Sequence, residues 1–242
     1  MAGQIYIGTS GWQYKHWRGT FYPDDIKVKD HFDYYQKYFD TVEINASFYR
    51  IPTKEIFAKW RDKANDDFIY VIKANRYITH YNKLRDTMET LDHFLSNALE
   101  LKEKLGPILF QLPPGWEVDI ERLENFLKIL PNDLRYVFEF RNTTWYNNEV
   151  DAILKKYHCA FCIYQLGGHL APIKVTADFV YVRLHGPKVK YKGSYNDETL
   201  KEWAKRCGGW LGENKDIYVY FDNDEKGYAA FNALDLKRLL QK

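Results

Sequence analysis

The sequence predicts a (β/α)₈ barrel of the TIM type that forms a single domain over residues 1–242. Short runs of β-branched and aromatic residues alternate with longer amphipathic stretches along the whole chain, and this alternation is typical of parallel strands joined by helices. Eight strand-like runs occur in the 242 residues, and eight-stranded barrels commonly take about 250 residues. An open, doubly wound sheet rarely needs eight strand and helix units in so short a chain, so the closed barrel is favoured.

The predicted strands are rich in Val, Ile, Tyr and Phe. They cover residues 5–8, 41–45, 68–73, 108–111, 136–141, 160–164, 179–185 and 217–223. Helical patterns fall between them at residues 30–39, 53–64, 86–105, 119–130, 147–157, 196–207 and 228–241. Asp119 and Asn196 stand where N-caps of two of these helices are expected. The connection after the sixth strand is too short for a good helix.

Charge and composition exclude several classes of protein. Thirty-five Lys and Arg residues against 33 Asp and Glu leave a net charge of +2, which is too small to steer the whole molecule to nucleic acid or to anionic lipid. Any anion binding must therefore be local. The chain has no cationic leader and no run of 18 apolar residues, so we expect a cytoplasmic protein without a membrane partner.

Cysteine usage agrees with a cytoplasmic setting. Three cysteines are too few for a disulfide framework in a chain of this length. Cys159 and Cys162 have the spacing of a redox or half-zinc motif, but residues three apart on a strand face opposite sides. We therefore expect them to be buried core thiols.

The carboxyl ends of the predicted strands are strongly polar. Three strands end in two polar residues with the same facing, because side chains on a strand repeat their direction every second residue. These pairs are Glu43 with Asn45, Glu139 with Arg141, and Arg183 with His185, while Lys73, Gln111 and Asn223 end other strands. Active sites of TIM barrels lie at this end of the strands, so the side chains are expected to converge on one mouth.

Long loops leave the same end of the barrel. The first loop carries Trp12 and Tyr14, and the third carries His80, all suited to the wall of a binding pocket. The seventh loop alternates Lys188, Lys190 and Lys192 with other residues. Such a loop can hold phosphates and stack bases, but it is equally typical of an ordinary solvated loop.

These residues indicate an enzyme, a hydrolase or another acid–base catalyst, that acts on an anionic, phosphate-containing small molecule or nucleic-acid-derived ester. Lys73, Arg141 and Arg183 are the candidates for holding the anion. Glu43 and Glu139 are candidate acid and base, and His185 or His80 could transfer a proton near neutral pH. The remaining candidates for substrate contact are Asn45, Gln111, Trp12, Tyr14 and Asn223.

Other interpretations of the same residues remain open. The charged set could be a salt-bridge network that only fills the top of the barrel, and Glu43 could simply neutralise Lys73. The mouth and the lysine loop could instead form a non-catalytic module that binds nucleic acid or a phosphorylated metabolite. A metal held by Glu43, Glu139, Asp222 and His185 is not predicted, because three neighbouring cations would repel it. The sequence identifies no cofactor, substrate or oligomeric state.

The strand ends also carry a family resemblance. The segments concerned are Gly8-Thr9-Ser10-Gly11-Trp12, Val42-Glu43-Ile44-Asn45, Phe110-Gln111-Leu112-Pro113-Pro114, Phe138-Glu139-Phe140-Arg141, Arg183-x-His185-Gly186 and Phe221-x-Asn223. Together they resemble the YecE-like family, a group of domains of unknown function. The resemblance implies a barrel, a bacterial or archaeal cytoplasmic setting and no established activity. Ala46 replaces the usual Ser or Thr, and Asp222 replaces the usual Asn, which adds a negative charge to the mouth.

Overall fold

The computed structural model describes residues 3–241. In that part of the chain eight parallel strands form a nearly closed barrel, and a ninth, two-residue strand pairs with one of them in antiparallel fashion. The strands are β1 (Ile5–Thr9), β2 (Thr41–Ile44), β3 (Ile69–Lys73), β4 (Leu105–Leu112), β5 (Tyr136–Phe140), β6 (Ala160–Leu166), β7 (His169–Leu170), β8 (Phe179–Leu184) and β9 (Asp216–Phe221). Their order is β1-β9-β8-β6-β5-β4-β3-β2, with β7 beside β6. The predicted barrel is confirmed.

The barrel closes between β1 and β2 through a tyrosine hydroxyl. Tyr35, fully buried on the first helix, accepts a hydrogen bond from the Thr9 amide at 3.1 Å and donates one to the Thr41 carbonyl at 3.0 Å. The two backbones come so close that a Cβ on Gly8 would lie 2.4 Å from the Thr41 oxygen. Only glycine fits at this contact.

The helices pack around the strands. They are α1 (His31–Tyr35), α2 (Ala46–Tyr49), α3 (Lys54–Lys63), α4 (Met88–Ala98), α5 (Ile120–Leu127), α6 (Asn148–Lys156), α7 (Asp197–Gly212) and α8 (Tyr228–Leu240). The expected caps are present, because Asp119 accepts from the Arg122 amide at 3.0 Å and Asn196 from the Thr199 amide at 2.9 Å. The short helix α2 and a π-helical turn at Tyr77–Tyr81 were not predicted.

The predicted helix over residues 86–105 is shorter in the structure. Helix α4 ends at Ala98 and continues as a 3₁₀ helix over Leu99–Lys104, in which Lys102 has a φ of +52°. Strand β4 then starts at Leu105. Pro107 lies two residues into that strand and, together with Gly106, favours an extended backbone there.

The connection from β7 to β8 confirms the prediction for the segment that follows the sixth strand. Residues 171–178, all of them described, contain no α-helix. Thr176 fixes this segment against β6, donating to the Cys159 carbonyl at 2.7 Å and accepting from the Phe161 amide at 2.8 Å. The usual helix is therefore replaced by an extended segment held by a side chain.

Apolar side chains fill the space between the barrel and its helices, and the three cysteines are buried and unpaired among them. The inside of the barrel near the carboxyl ends of the strands is different, because Glu43, Glu139 and Arg183 are almost completely buried there. Within residues 3–241 no helix is long and apolar enough to cross a membrane.

Candidate functional site

An ion-pair plug, made of Glu43, Glu139 and Arg183, fills the barrel interior beneath the mouth. These residues come from β2, β5 and β8, so the plug joins three strands across the barrel. The Arg183 guanidinium donates to Glu43 through Nε at 2.8 Å and Nη2 at 2.6 Å, and to Glu139 through Nη1 at 2.6 Å. All three nitrogens of Arg183 therefore have a carboxylate partner, and its side chain is only 1% exposed.

Glu43 is also bonded by neighbouring hydroxyl groups. Ser10 donates to its Oε1 and Tyr181 donates to its Oε2, each at 2.6 Å. Burial alone would raise the pKa of this carboxyl, but Arg183 and the hydroxyl donors hold the pKa below its usual range. Glu43 is thus ionised, with both oxygens occupied.

Glu139 is shared between two arginines. Its second oxygen accepts from the Arg141 Nε, and the Cys162 thiol lies 3.7 Å from the oxygen that binds Arg183. Burial opposes its charge, but Arg141 and Arg183 hold the pKa of Glu139 far below its ordinary range. These contacts favour a counter-ion role for Glu43 and Glu139, and their predicted roles as acid and base remain untested predictions.

His185 lies above the plug and is held between Asp222 and Arg141. Its Nδ1 is 2.9 Å from Asp222 Oδ2, and its Nε2 is 3.1 Å from Arg141 Nη2. Since a guanidinium has no acceptor, Nε2 must accept, and in the neutral ring Nδ1 donates to Asp222. Burial and the charge of Arg183 lower the pKa of His185, which favours this neutral form. Asp222 therefore fixes both the orientation and the tautomer of the ring.

Lys73, at the end of β3, also faces the mouth. Its Nζ donates to Gln111 Oε1 at 2.6 Å and lies 4.3 Å from the centre of the Phe48 ring. Among residues 3–241 no carboxylate forms an ion pair with it. Burial and the charge of Arg183 lower the pKa of Lys73 to about 8. A fraction of this amine is consequently uncharged at neutral pH.

A cavity of about 220 Å³ opens at this point. It is lined by Asn45, Phe48, Tyr49, Lys73, Gln111, Arg183, His185, Tyr191 and Asp222. Larger grooves of about 410 and 460 Å³ lie elsewhere, beside Arg122 and beside Lys156. The smaller cavity is the candidate site because it lies at the carboxyl ends of the strands, where polar groups from several strands converge.

Two other predicted residues lie outside the cavity lining, His80 against the lining residue Phe48 and Tyr14 against Ser10, which bonds to the plug. The His80 ring packs against Phe48 with ring centres 4.9 Å apart, and burial together with Lys73 lowers its pKa to about 4. His80 is therefore neutral in the physiological range. Tyr14 donates its hydroxyl hydrogen to the Ser10 carbonyl, and burial raises its pKa.

Trp12 and Asn223 lie away from the cavity. Trp12 packs against Phe32 and Trp60, with ring centres 5.2 and 6.1 Å away, because the first loop folds back over α1 and α3. Asn223 donates to the Gly193 carbonyl at 2.8 Å and to Asn232 Oδ1 at 2.9 Å, and so holds the seventh loop against α8. Both side chains make structural contacts, and their predicted contact with a substrate stays a prediction.

Three residues that line the cavity, Phe48, Tyr49 and Tyr191, were not predicted to contact a substrate, whereas Asp222 was expected to add a negative charge to the mouth. Tyr191 belongs to the lysine-rich seventh loop, and its ring centre lies 5.5 Å from that of His185. Strand register explains why Asp222 faces the mouth, because Arg183 pairs with Tyr220 in the sheet and Asp222 has the same facing as Tyr220. Over residues 3–241 no group of three or more His, Cys, Asp or Glu side chains is arranged to hold a metal ion.

Comparison with known proteins gives the family. The family model described as "Protein of unknown function DUF72" matches residues 6–242, nearly the whole chain. The chain belongs to the DUF72 family. The UPF0759 protein YunF of Bacillus subtilis is 26% identical over 98% of this chain and 94% of its own length. The UPF0759 protein YecE of Escherichia coli is 27% identical over 59% of this chain and half of its own length. The predicted YecE-like membership is confirmed.

Solved structures of DUF72 proteins have the same fold. A crystal structure of the family from Thermotoga maritima superposes with a TM-score of 0.87 and 27% identity over 99% of this chain and 100% of that chain. A second, from Enterococcus faecalis, gives a TM-score of 0.83 at 21% identity, covering 99% of this chain and 96% of that one. The second likeness concerns the fold alone.

Proposed function

We propose that the cavity of this DUF72 protein binds a small metabolite with an anionic group, and that His185 transfers a proton to or from that metabolite. The observation that carries the proposal is the hydrogen-bonded row from Asp222 through His185 to Arg141, of which Asp222 and His185 line the cavity. A carboxylate that orients a neutral imidazole is a common arrangement for a general base. Hydrolysis and other reactions that need one proton transfer both fit it.

Lys73, which lines the cavity, supplies one anion contact in this proposal, and Arg141, which is bonded to the cavity residue His185, supplies the other. Glu43 and Glu139 are already balanced by Arg183 and Arg141 within the plug, whereas Lys73 has only a neutral amide oxygen as its hydrogen-bond acceptor. An anionic group at Lys73 would gain a charge-assisted hydrogen bond. If the same group took over the Arg141 Nη2 donor, the lone pair of His185 Nε2 would become free to accept a proton. Anion binding and proton transfer would then be coupled.

The volume of the cavity limits the substrate. About 220 Å³ is less than the roughly 300–1,000 Å³ of sites that enclose drug-sized ligands. A small carboxylated or phosphorylated metabolite fits this space, and a larger ligand would have to extend over the rim. Arg183 is not assigned to the substrate here, because all its nitrogens already bind carboxylates.

The binding half of the proposal is tested by thermal unfolding with small phosphorylated and carboxylated compounds, inorganic phosphate included. A compound that binds only the native state raises the unfolding temperature, in proportion to RT ln(1 + [L]/Kd). We expect this rise in the wild type and its loss in Lys73→Met. An equal rise in both proteins would remove Lys73 from the site.

The catalytic half is tested on a compound that binds. Removing a general acid or base typically costs about 10² to 10⁴ in rate, so His185→Gln should lower turnover by that range while binding persists. His93→Gln, an exposed histidine on α4, is the matched control and should keep full turnover. Full activity of His185→Gln would end the assignment of His185.

A binding module for single-stranded nucleic acid is the second candidate, favoured by an exposed aromatic and basic group beside the cavity. The Arg76 guanidinium carbon lies 5.7 Å from the centre of the Tyr49 ring and 5.4 Å from that of Tyr81, and these rings are 67% and 63% exposed. Exposed tyrosines and an arginine can stack on bases. Oligonucleotide binding that weakens steeply with salt and is lost in Tyr49→Ala would favour this candidate over the enzyme.

A further inference from the structure

Lys73, which is partly buried, differs from the buried Lys104 in how its amine is satisfied. Lys104 donates to two backbone carbonyls, those of Arg61 at 3.0 Å and Ala64 at 2.7 Å, at the carboxyl end of α3. Lysine at this end of a helix stabilises the helix dipole and the last carbonyl groups. Lys104 therefore has a structural role that accounts for its burial.

Lys73 has no comparable structural partner. Its amine has one neutral acceptor, Gln111, and otherwise contacts the face of Phe48 and the open cavity. Desolvation and the nearby Arg183 both disfavour its charge, while the carboxylates of Glu139 and Glu43 act in the opposite sense. A lysine that is desolvated and close to another cation can react as a nucleophile near neutral pH.

We propose that Lys73 forms an imine with a small carbonyl compound that carries an anionic group. This inference rests on the proposed function, since it assigns a substrate class to the same cavity. The uncharged amine attacks the carbonyl carbon, a C–N bond forms, and the carbonyl oxygen is protonated to give a carbinolamine. Loss of that oxygen as water leaves the protonated imine. No redox change occurs, and the net products of ammonium and carbonyl are iminium and water.

The surroundings of Lys73 suit each part of this step. Lys73 and His185 line the same cavity, so once the anionic group has taken the Arg141 donor, the free Nε2 of His185 can accept the ammonium proton and return it to the departing hydroxyl group. The positive charge of the iminium replaces that of the ammonium, so Glu139 and Glu43 stabilise it in the same way. Arg141 remains to hold the anionic group of the substrate.

Reductive trapping with glyoxylate, the smallest anionic aldehyde, tests the inference on the whole protein. The protein is incubated at pH 7.5 with glyoxylate and cyanoborohydride, and the rate of carboxymethylation of each lysine is measured by peptide mass spectrometry. Because an ordinary lysine has a pKa of about 10.4 and carries little free amine at this pH, we expect Lys73 to react at least about tenfold faster than exposed lysines. Lys73→Arg should lose the fast adduct, and Lys59→Arg, a change at an exposed position, should retain it.

Labelling of Lys73 no faster than the typical exposed lysine would overturn the inference. Thermal shifts with glycolate and inorganic phosphate, neither of which has a carbonyl group, separate this failure from that of the proposed function. If these anions raise the unfolding temperature in a way that depends on Lys73, but Lys73 is not labelled fast, the imine is refuted and anion binding is retained. Absence of both the shifts and the labelling would contradict both proposals.

Discussion

Two groups of ionisable side chains lie next to each other at the mouth of the barrel, and they differ in how fully they are paired. In the ion-pair plug, every nitrogen of Arg183 and every carboxylate oxygen of Glu43 and Glu139 has a partner. On the cavity wall, formed by Lys73, His185 and Asp222, the amine has a single neutral acceptor. The lowered pKa of Glu139 keeps the plug charged, whereas the pKa of Lys73 is lowered toward neutral pH.

The difference separates architecture from candidate chemistry. A buried ion pair with complete hydrogen bonding joins strands and keeps its charge over a wide pH range. A buried amine with incomplete pairing lowers the stability of the fold, and groups of this kind cluster at functional sites. Removing one partner from the plug is therefore expected to destabilise the fold, whereas removing the amine of Lys73 from the cavity wall is expected to stabilise it.

The largest expected effect follows from breaking the plug. Arg183→Met leaves Glu43 and Glu139 buried without their shared cation, and loss of one partner of a buried ion pair typically costs about 3 to 5 kcal/mol. Urea unfolding at pH 7 measures this loss. A change below about 1 kcal/mol would show that the plug does not hold the barrel together.

Glu139→Gln is expected to lower the free energy of unfolding by about 3 kcal/mol, because Arg141 and Arg183 lose the carboxylate that both of them contact. The pKa of Glu139 is lower in the native state than in the unfolded chain, so its contribution is present above the ordinary glutamate pKa near 4.3. That contribution is lost as the pH falls, since the unfolded state then binds more protons. The stability gap between wild type and variant should accordingly narrow below about pH 4, and a gap that stays constant down to acid pH would contradict the counter-ion role.

For Lys73 in the cavity wall, substitution is expected to raise the free energy of unfolding, the opposite of the effect expected for the two plug variants. The pKa of Lys73 falls from its ordinary value of 10.5 to about 8 in the folded protein. Between these values the unfolded chain binds more protons, so the charged amine destabilises the native state at pH 7 and this cost disappears as the pH rises past 10.5. Lys73→Met should stabilise the protein by roughly 3 kcal/mol at pH 7 and by little above pH 11. Urea unfolding of the wild type and Lys73→Met across this pH range measures the difference.

The sequence was sufficient to predict the barrel and the convergence of its polar strand ends. Strand alternation placed Glu139 with Arg141 and Arg183 with His185, and each of these pairs does face the barrel mouth. The pairing partners could not be predicted, because the contact of Arg183 with Glu43 crosses the barrel and depends on strand stagger. The sequence pattern alone therefore could not separate the residues of the plug from those of the cavity wall.

The loops and the end of β9 were harder to place from the sequence. Trp12 is an aromatic loop residue, and only the three-dimensional packing of α1 and α3 reveals that its ring has apolar neighbours. Asn223 and Asp222 are adjacent, so on an extended backbone their side chains face opposite sides, and the sequence alone does not show which of the two faces the cavity. In the structure Asp222 faces the cavity and Asn223 bonds to α8.

The unfolding free energies of Arg183→Met and Lys73→Met in urea at pH 7 test the division between plug and cavity wall most directly. Both substitutions replace a cation at the top of the barrel with methionine; Arg183 is buried and paired with two carboxylates, whereas Lys73 is partly buried and has one neutral acceptor. Glu139→Gln takes the place of Arg183→Met if that variant does not fold. Opposite signs are predicted, with the plug variant less stable than wild type and Lys73→Met more stable. Destabilisation by both substitutions would contradict the division between plug and cavity wall and would show that Lys73 has a structural role.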